Sequence, residues 1–258
     1  MTVPQKITVE ISEIPKLKNP QLLCGLPGSG YVGKLAVDYL IEELKGVQFA
    51  KIFSSSFPPQ VLIQPDGTVD LMKNTLYYCR NKTNDLVILT GDAQPVTPES
   101  EYAMAEEITS ICEKLGIKNV YTLAAYITGT FSKKPKVYGT STSLQVVNKF
   151  PRQDILTMNS GSITGMNGLI LGVAKTKGIT GVCLLGETSG YVVDAMASKA
   201  VLEVLSKMLG LKLDMVGLDK KAEDTKQLIK TIEDQMGQRT SADQLPLHQQ
   251  DKKLGYIS

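Results

Sequence analysis

Histidine is almost missing from this chain. Among 258 residues there is one, His248, in a polar stretch after Pro246. Ser-His-Asp and Cys-His machinery is therefore excluded, as are metal sites built from several histidines. Any catalysis would have to run on carboxylates, Lys, Tyr or a borrowed cofactor. Cysteine is scarce too. Cys24, Cys79, Cys112 and Cys183 stand singly, mostly in apolar segments and without CxxC spacing, and read as buried thiols of a reducing compartment. No stretch reaches about 18 uninterrupted apolar residues, so no membrane span is expected. Residues 1–13 lack the basic start and apolar core of a secretory signal, and a cytoplasmic location is expected. Charge of one sign never accumulates. The 28 basic and 26 acidic residues are interspersed, for a net charge of +2, which gives no footing to a nucleic-acid or membrane partner.

What is present is a regular succession of strand and helix patterns. Residues 5–11 alternate polar and apolar side chains as a half-buried strand does. Residues 20–25 form a second strand, which runs into the glycine-rich turn at 25–30. Helical spacing follows at 31–44, where Val32, Leu35, Ala36, Tyr39 and Leu40 share a face, and Gly46 provides a stop. A strand at 47–53 precedes a β-rich stretch in which Asp66-Gly67, between two apolar runs, signals a hairpin. The continuous apolar run at 85–90 fits a central parallel strand covered on both faces. Thr97-Pro98 then caps a helix reaching Gly116. Strands at 118–125, 136–142 and 180–186 alternate with helical patterns at 143–150, 166–177 and 194–209. The pattern predicts an α/β fold: a three-layer α/β/α sandwich with a mostly parallel central sheet. Residues 1–212 are expected to be one core domain.

The remainder differs in character. From Leu218 the seam residues are Ala222, Thr225, Ile229, Ile232 and Met236, spaced alternately by four and three, with charged residues between them. Two readings stand open for this helix at 213–238. It lies on its own domain, or it makes a helix contact between subunits through Leu218, Ala222, Ile229, Ile232 and Met236. Residues 239–258 are polar and expected to be a flexible tail, closing with Leu254-Gly255-Tyr256-Ile257-Ser258. Large apolar side chains at the tip of such a tail have no core to enter and invite a partner.

The turn after the second strand needs weighing. Gly28, Gly30 and Gly33 spell GxGxxG, and Gly28 with Gly33-Lys34 spells GxxxxGK. With Ser29, these residues could set backbone N–H groups against an anion at a helix start. Each pattern lacks a chemically necessary member. Leu35 replaces the hydroxyl that would hold Mg²⁺, and Phe53-Ser54-Ser55-Ser56 holds no acid for a ribose. Three readings remain: a tight turn with close packing, a small-anion site, or a nucleotide site. Asp92 and Glu187, in loops after strands, could together make an acid–base or metal pair.

Several of these segments resemble one family. They are GLPGSGYVGKLAVDYLIEEL (25–44), FPPQVLI (57–63), LTGDAQP (89–95), GSITGMNGLILGVAKTKGITGVCLLGET (161–188) and the helix at 191–209. Together they are similar to the proteasome-assembly-chaperone family, its archaeal members in particular. The resemblance implies an α/β/α sandwich like that of nucleoside phosphorylases, with no catalytic site and no cofactor. It further implies self-association into a homo-oligomer and binding to proteasome α-subunits, in ring assembly or gate opening. Members commonly dock through a terminal hydrophobic–Tyr–any triplet whose carboxylate meets a lysine between neighbouring α-subunits. Here Tyr256 is third from the end and Gly255 precedes it. The extra residue moves the carboxylate by about 3.5 Å. The expected contacts are Leu254, Tyr256, Ile257 and Ser258 in a shifted register. The alternative is a nucleotide-dependent ligase or a phosphorylase-like enzyme using Gly28–Lys34 with Asp92 and Glu187.

Overall fold

In the computed structural model, which describes residues 6–227 and 229, the alternation of patterns becomes an alternation of elements. The order is β1 (Ile7–Ile11), β2 (Gln21–Cys24), α1 (Val32–Glu43), β3 (Val47–Ser54), β4 (Val61–Ile63), β5 (Val69–Leu71), β6 (Asn74–Cys79), β7 (Leu86–Gly91), α2 (Pro98–Lys114), β8 (Asn119–Ile127), β9 (Val137–Ser141), α3 (Leu144–Val147), β10 (Leu156–Thr157), α4 (Met166–Thr176), β11 (Thr180–Thr188) and α5 (Ala195–Leu209). A last helix covers 216–227. The local reasons are those the residues suggest. Thr97 caps α2 by accepting a hydrogen bond from the Ser100 amide, and Pro98 occupies the first turn. Gly67 turns the β4–β5 hairpin at φ +84°, and Thr68 donates from both its amide and its hydroxyl to Asp66.

Nine strands form one sheet, in the order β1-β3-β6-β7-β2-β8-β11-β9-β10, and β4 with β5 forms a separate two-stranded sheet. The four central strands, β7-β2-β8-β11, are mutually parallel. The expectation of a mostly parallel sheet needs correcting at the flanks. β1–β3, β3–β6, β6–β7 and β9–β11 are antiparallel, so parallel and antiparallel pairings are equal in number. The reason is connection length. β6 reaches β7 through residues 80–85, too short for a helical crossover.

Side chains alternate across the central strands and build a layer on each face. Leu22, Cys24, Val87 and Leu89 pack with α2 and α4. Leu23, Leu86 and Ile88 pack with α1 and α5. Every residue of β7 is buried, as its uninterrupted apolar run requires, and each large side chain there contributes roughly 2 kcal/mol by leaving water. This is the three-layer sandwich, and it gathers the loops after β2, β7, β8 and β11 at one edge.

The last helix lies on its own domain. Leu218 is fully buried in the α1–α5 layer, and Ala222 packs against Ala195, Met196 and Leu35. The Thr225 hydroxyl accepts from the Ala195 amide and donates to the Lys221 carbonyl. Tyr39 fixes the approach by donating its phenol to the Asp214 carbonyl at 2.8 Å. The first half of the heptad seam is therefore a contact within the subunit. Of the two readings, the between-subunit one does not apply to Leu218 and Ala222, because α1 and α5 leave an apolar groove that they fill. Ile229 is buried as well. Ile232 and Met236 lie outside the described residues.

Candidate functional site

The carboxyl edge of the central strands is where a ligand would sit in an open parallel sheet. The glycine turn after β2 enters it. A Cβ on Gly25 would lie 2.2 Å from the Gly33 carbonyl oxygen, and one on Gly33 would lie 1.9 Å from that of Leu123. The first turn of α1 thus rests directly on the backbone of β8, and only glycine permits that approach. Gly30 and Tyr31 take left-handed conformations at φ +62° and +51°. Gly28 is different: its backbone is extended, and an added Cβ would meet nothing nearer than 4.0 Å.

The groups that a nucleotide would need are committed elsewhere. The Lys34 ammonium lies 2.9 Å from Asp38 and donates to the Thr90 hydroxyl, which in turn donates to Asp38. This i,i+4 pair holds the charge over β7. Leu35 is partly buried beside Ala195, Met196 and Ala222. Asp92 accepts from the Lys73 amide, and Glu187 accepts from the Lys136 amide, so each carboxylate fastens a loop. β7 and β11 are separated by β2 and β8, three strand spacings or about 14 Å, and the two carboxylates are not brought together.

Two side chains lock the edge. Gln94 donates its amide to the Pro27 carbonyl and accepts from the Met166 amide, joining the glycine turn to the start of α4. Asp194 caps α5 by accepting from the Ala197 amide at 2.9 Å, and it accepts from the Thr188 hydroxyl at 2.7 Å. The Asp194 amide donates to the Gly30 carbonyl. Asp194, Thr188 and Ser189 are all buried. Pattern reading does not single out Asp194, although a carboxylate directly before the apolar run Ala195-Met196-Ala197 is an N-cap signal.

Between the glycine turn, the Gln94 loop and residues 158–165 lies an open cavity of about 720 Å³. Its walls include Ser29, Glu101, Tyr126, Ser162, Thr164 and Asn167, with no Lys or Arg, so an anion would meet a carboxylate and no cation. Among the described residues no group of three His, Cys, Asp or Glu is placed to hold a metal. Burial pushes the Cys79 thiol up to about 11 and those of Cys112 and Cys183 to about 12, so they stay protonated near neutral pH. Among the described residues no helix is long and apolar enough to cross a membrane. Leu254, Tyr256, Ile257 and Ser258 lie outside the described residues.

Fold and edge together define an α/β/α sandwich whose strand ends are fastened to one another by the chain's own polar groups. The chain belongs to the PAC2 family, whose model matches residues 22–233. It is 40% identical over 227 residues to an uncharacterized protein of Methanocaldococcus jannaschii, covering 88% of each chain. Among solved structures it is similar to Pyrococcus furiosus PbaB, an archaeal proteasome activator. That match has 34% identity, a TM-score of 0.83, and coverage of 88% of this chain and 98% of the other. It is also similar to Pyrococcus furiosus PbaA, an archaeal homolog of proteasome-assembly chaperone. There the identity is 30%, the TM-score 0.73, and the coverage 91% and 95%.

Proposed function

We propose that this chain is a proteasome assembly chaperone or activator, a non-enzymatic homo-oligomeric scaffold that docks on the proteasome α-ring through its C-terminal residues. The observation that carries the reading is the 34% identity to PbaB over nearly the whole of both chains. The glycine turn supports the non-enzymatic part. Gly25 and Gly33 serve backbone contact, and the Lys34 charge is held by Asp38.

The last helix supports a role for the residues beyond it. Ala222 and Thr225 lie beside the start of α5, at the carboxyl edge of the sheet.

The test is a pull-down of purified α-rings with the full-length chain and with a chain lacking 254–258. Full-length protein is expected to retain the rings and the shortened chain to lose them while keeping its fold. Equal retention by both would overturn docking through the tail. A peptidase assay on intact proteasomes then separates gate opening from assembly.

A further inference from the structure

The cavity between the glycine turn and α4 holds polar groups that the fold itself leaves unused. Asn167 lines it and is only 7% exposed. The Cys24 thiol donates to the Asn167 Oδ1 at 3.7 Å, and burial keeps that thiol protonated. The amide is thereby oriented, and its NH₂ has no hydrogen-bond partner among the described residues. The side-chain atoms sealed away without a partner belong to Asn74 and Thr122, so the Asn167 NH₂ is open to the cavity. The backbone adds a second donor. Gln94 accepts from the Met166 amide, but the Asn167 amide N–H, next along the first turn of α4, bonds to nothing among the described residues. Two donors at the start of an 11-residue helix call for an acceptor, a carbonyl or a carboxylate.

The opposite demand comes from α2. Glu101 lines the same cavity, is partly buried, and makes no ion pair or side-chain hydrogen bond among the described residues. Glu99 stands in the same helical turn, exposed and of the same sign. With no Lys or Arg on the walls, the field favours an ammonium and penalises a free carboxylate. The acceptor end of a ligand is then a carbonyl. Other walls are apolar: Tyr126, stacked on Tyr138 at 4.0 Å between ring centroids, with Met158 and Ile163. Gly28 lines the cavity too. Its extended backbone suits any residue and an added Cβ meets nothing nearer than 4.0 Å, so what the missing side chain preserves is room. At about 720 Å³ the cavity is of the size that small molecules occupy, roughly 300–1,000 Å³.

We infer that this cavity binds a small primary amine that also carries a carbonyl, the chemistry of an amino-acid amide or of a short peptide's free amino end. The ammonium meets Glu101, the carbonyl accepts from the two Asn167 donors, and an apolar side chain lies against Tyr126. The inference is independent of docking on the α-ring.

The test is titration calorimetry on the full chain with L-phenylalaninamide and glycyl-L-phenylalaninamide. At least one is expected to bind with a Kd of about 1 mM or below, and the tighter of the two tells a single residue from a peptide. The N-acetylated forms, which lack the ammonium, and phenylpropionate, an anion, are expected to bind at least about tenfold more weakly. Glu101→Gln is expected to abolish the preference for the amine over its N-acetylated form, which a merely structural role would leave intact. Asn167→Leu, of similar shape, is expected to weaken both forms about tenfold. If circular dichroism shows that it fails to fold, Gly28→Val takes its place and is expected to weaken both by filling the cavity. No saturable heat from either amine up to about 10 mM overturns the inference. So does equal affinity for amine, N-acetylated form and anion, or wild-type preference in Glu101→Gln. Ring retention in the pull-down is read separately.

Discussion

Gly33 and Gly28 belong to the same sequence motif and answer to different physics. At Gly33 a Cβ would overlap the Leu123 carbonyl, so Gly33→Ala must push α1 off β8. The expected cost is about 3 kcal/mol or more, read from a denaturant melt. Gly28 has open space and extended backbone, and Gly28→Ala is expected to cost less than about 1 kcal/mol. Equal losses at the two positions would contradict the close-packing account. Asp85 supplies a pH-dependent term. Its burial pushes the carboxyl up, but hydrogen bonds from the Lys18 and Asn81 amides and from Arg80 outweigh that and hold it below its ordinary value. A depressed carboxyl contributes stability above its unfolded value, and that contribution is lost as pH falls through the folded one. Asp85→Asn is therefore expected to be clearly less stable than wild type at pH 7, with the gap narrowing as pH falls below about 4. A gap independent of pH would rule this out. The spacing of the glycines was legible in the sequence. The Gly33–Leu123 contact was not, because it joins residues far apart in the chain.

At the scale of elements, the last helix shows how far a heptad pattern carries. The seam from Leu218 to Met236 states that one face is apolar, not which surface covers it. Docking on α1 and α5 predicts that Leu218→Ala, at a fully buried position, costs about 2–4 kcal/mol. Val216→Ala, at a 70% exposed position of the same helix, is expected to stay within about 0.5 kcal/mol. A Leu218→Ala chain as stable as wild type would mean that the helix does not rest on its domain. Most strands and helices were legible from periodicity and turn residues, including the hairpin at Asp66-Gly67. β10 was not: two residues carry no period. Nor were the antiparallel flanks, since alternation along a strand is the same whichever way its neighbour runs.

At the scale of the whole molecule, two features act together in the proposed scaffold. A homo-oligomer brings several copies together, and each copy brings its own C-terminal residues. Linked weak contacts gain effective concentration. Mixed oligomers in which most copies lack residues 254–258 are expected to bind α-rings about tenfold to hundredfold more weakly by titration, rather than to lose them. Wild-type affinity in such mixed oligomers would mean that avidity plays no part.

The order of local features alone determined much of this protein: the succession of strands and helices, the covered central strand at 86–91, the missing hydroxyl at Leu35 and the absence of histidine chemistry. These depend on neighbours a few residues apart and are written in the chain. Tertiary structure alone decided what the glycines touch, which helices receive Leu218, and how far apart Asp92 and Glu187 stand. It also decided which face of the hairpin is left bare, since Val61, Leu62 and Ile63 are all apolar and only packing tells inside from outside. Contacts of that kind join segments distant in the chain, and their identity exists only once the sheet has fixed its strand order.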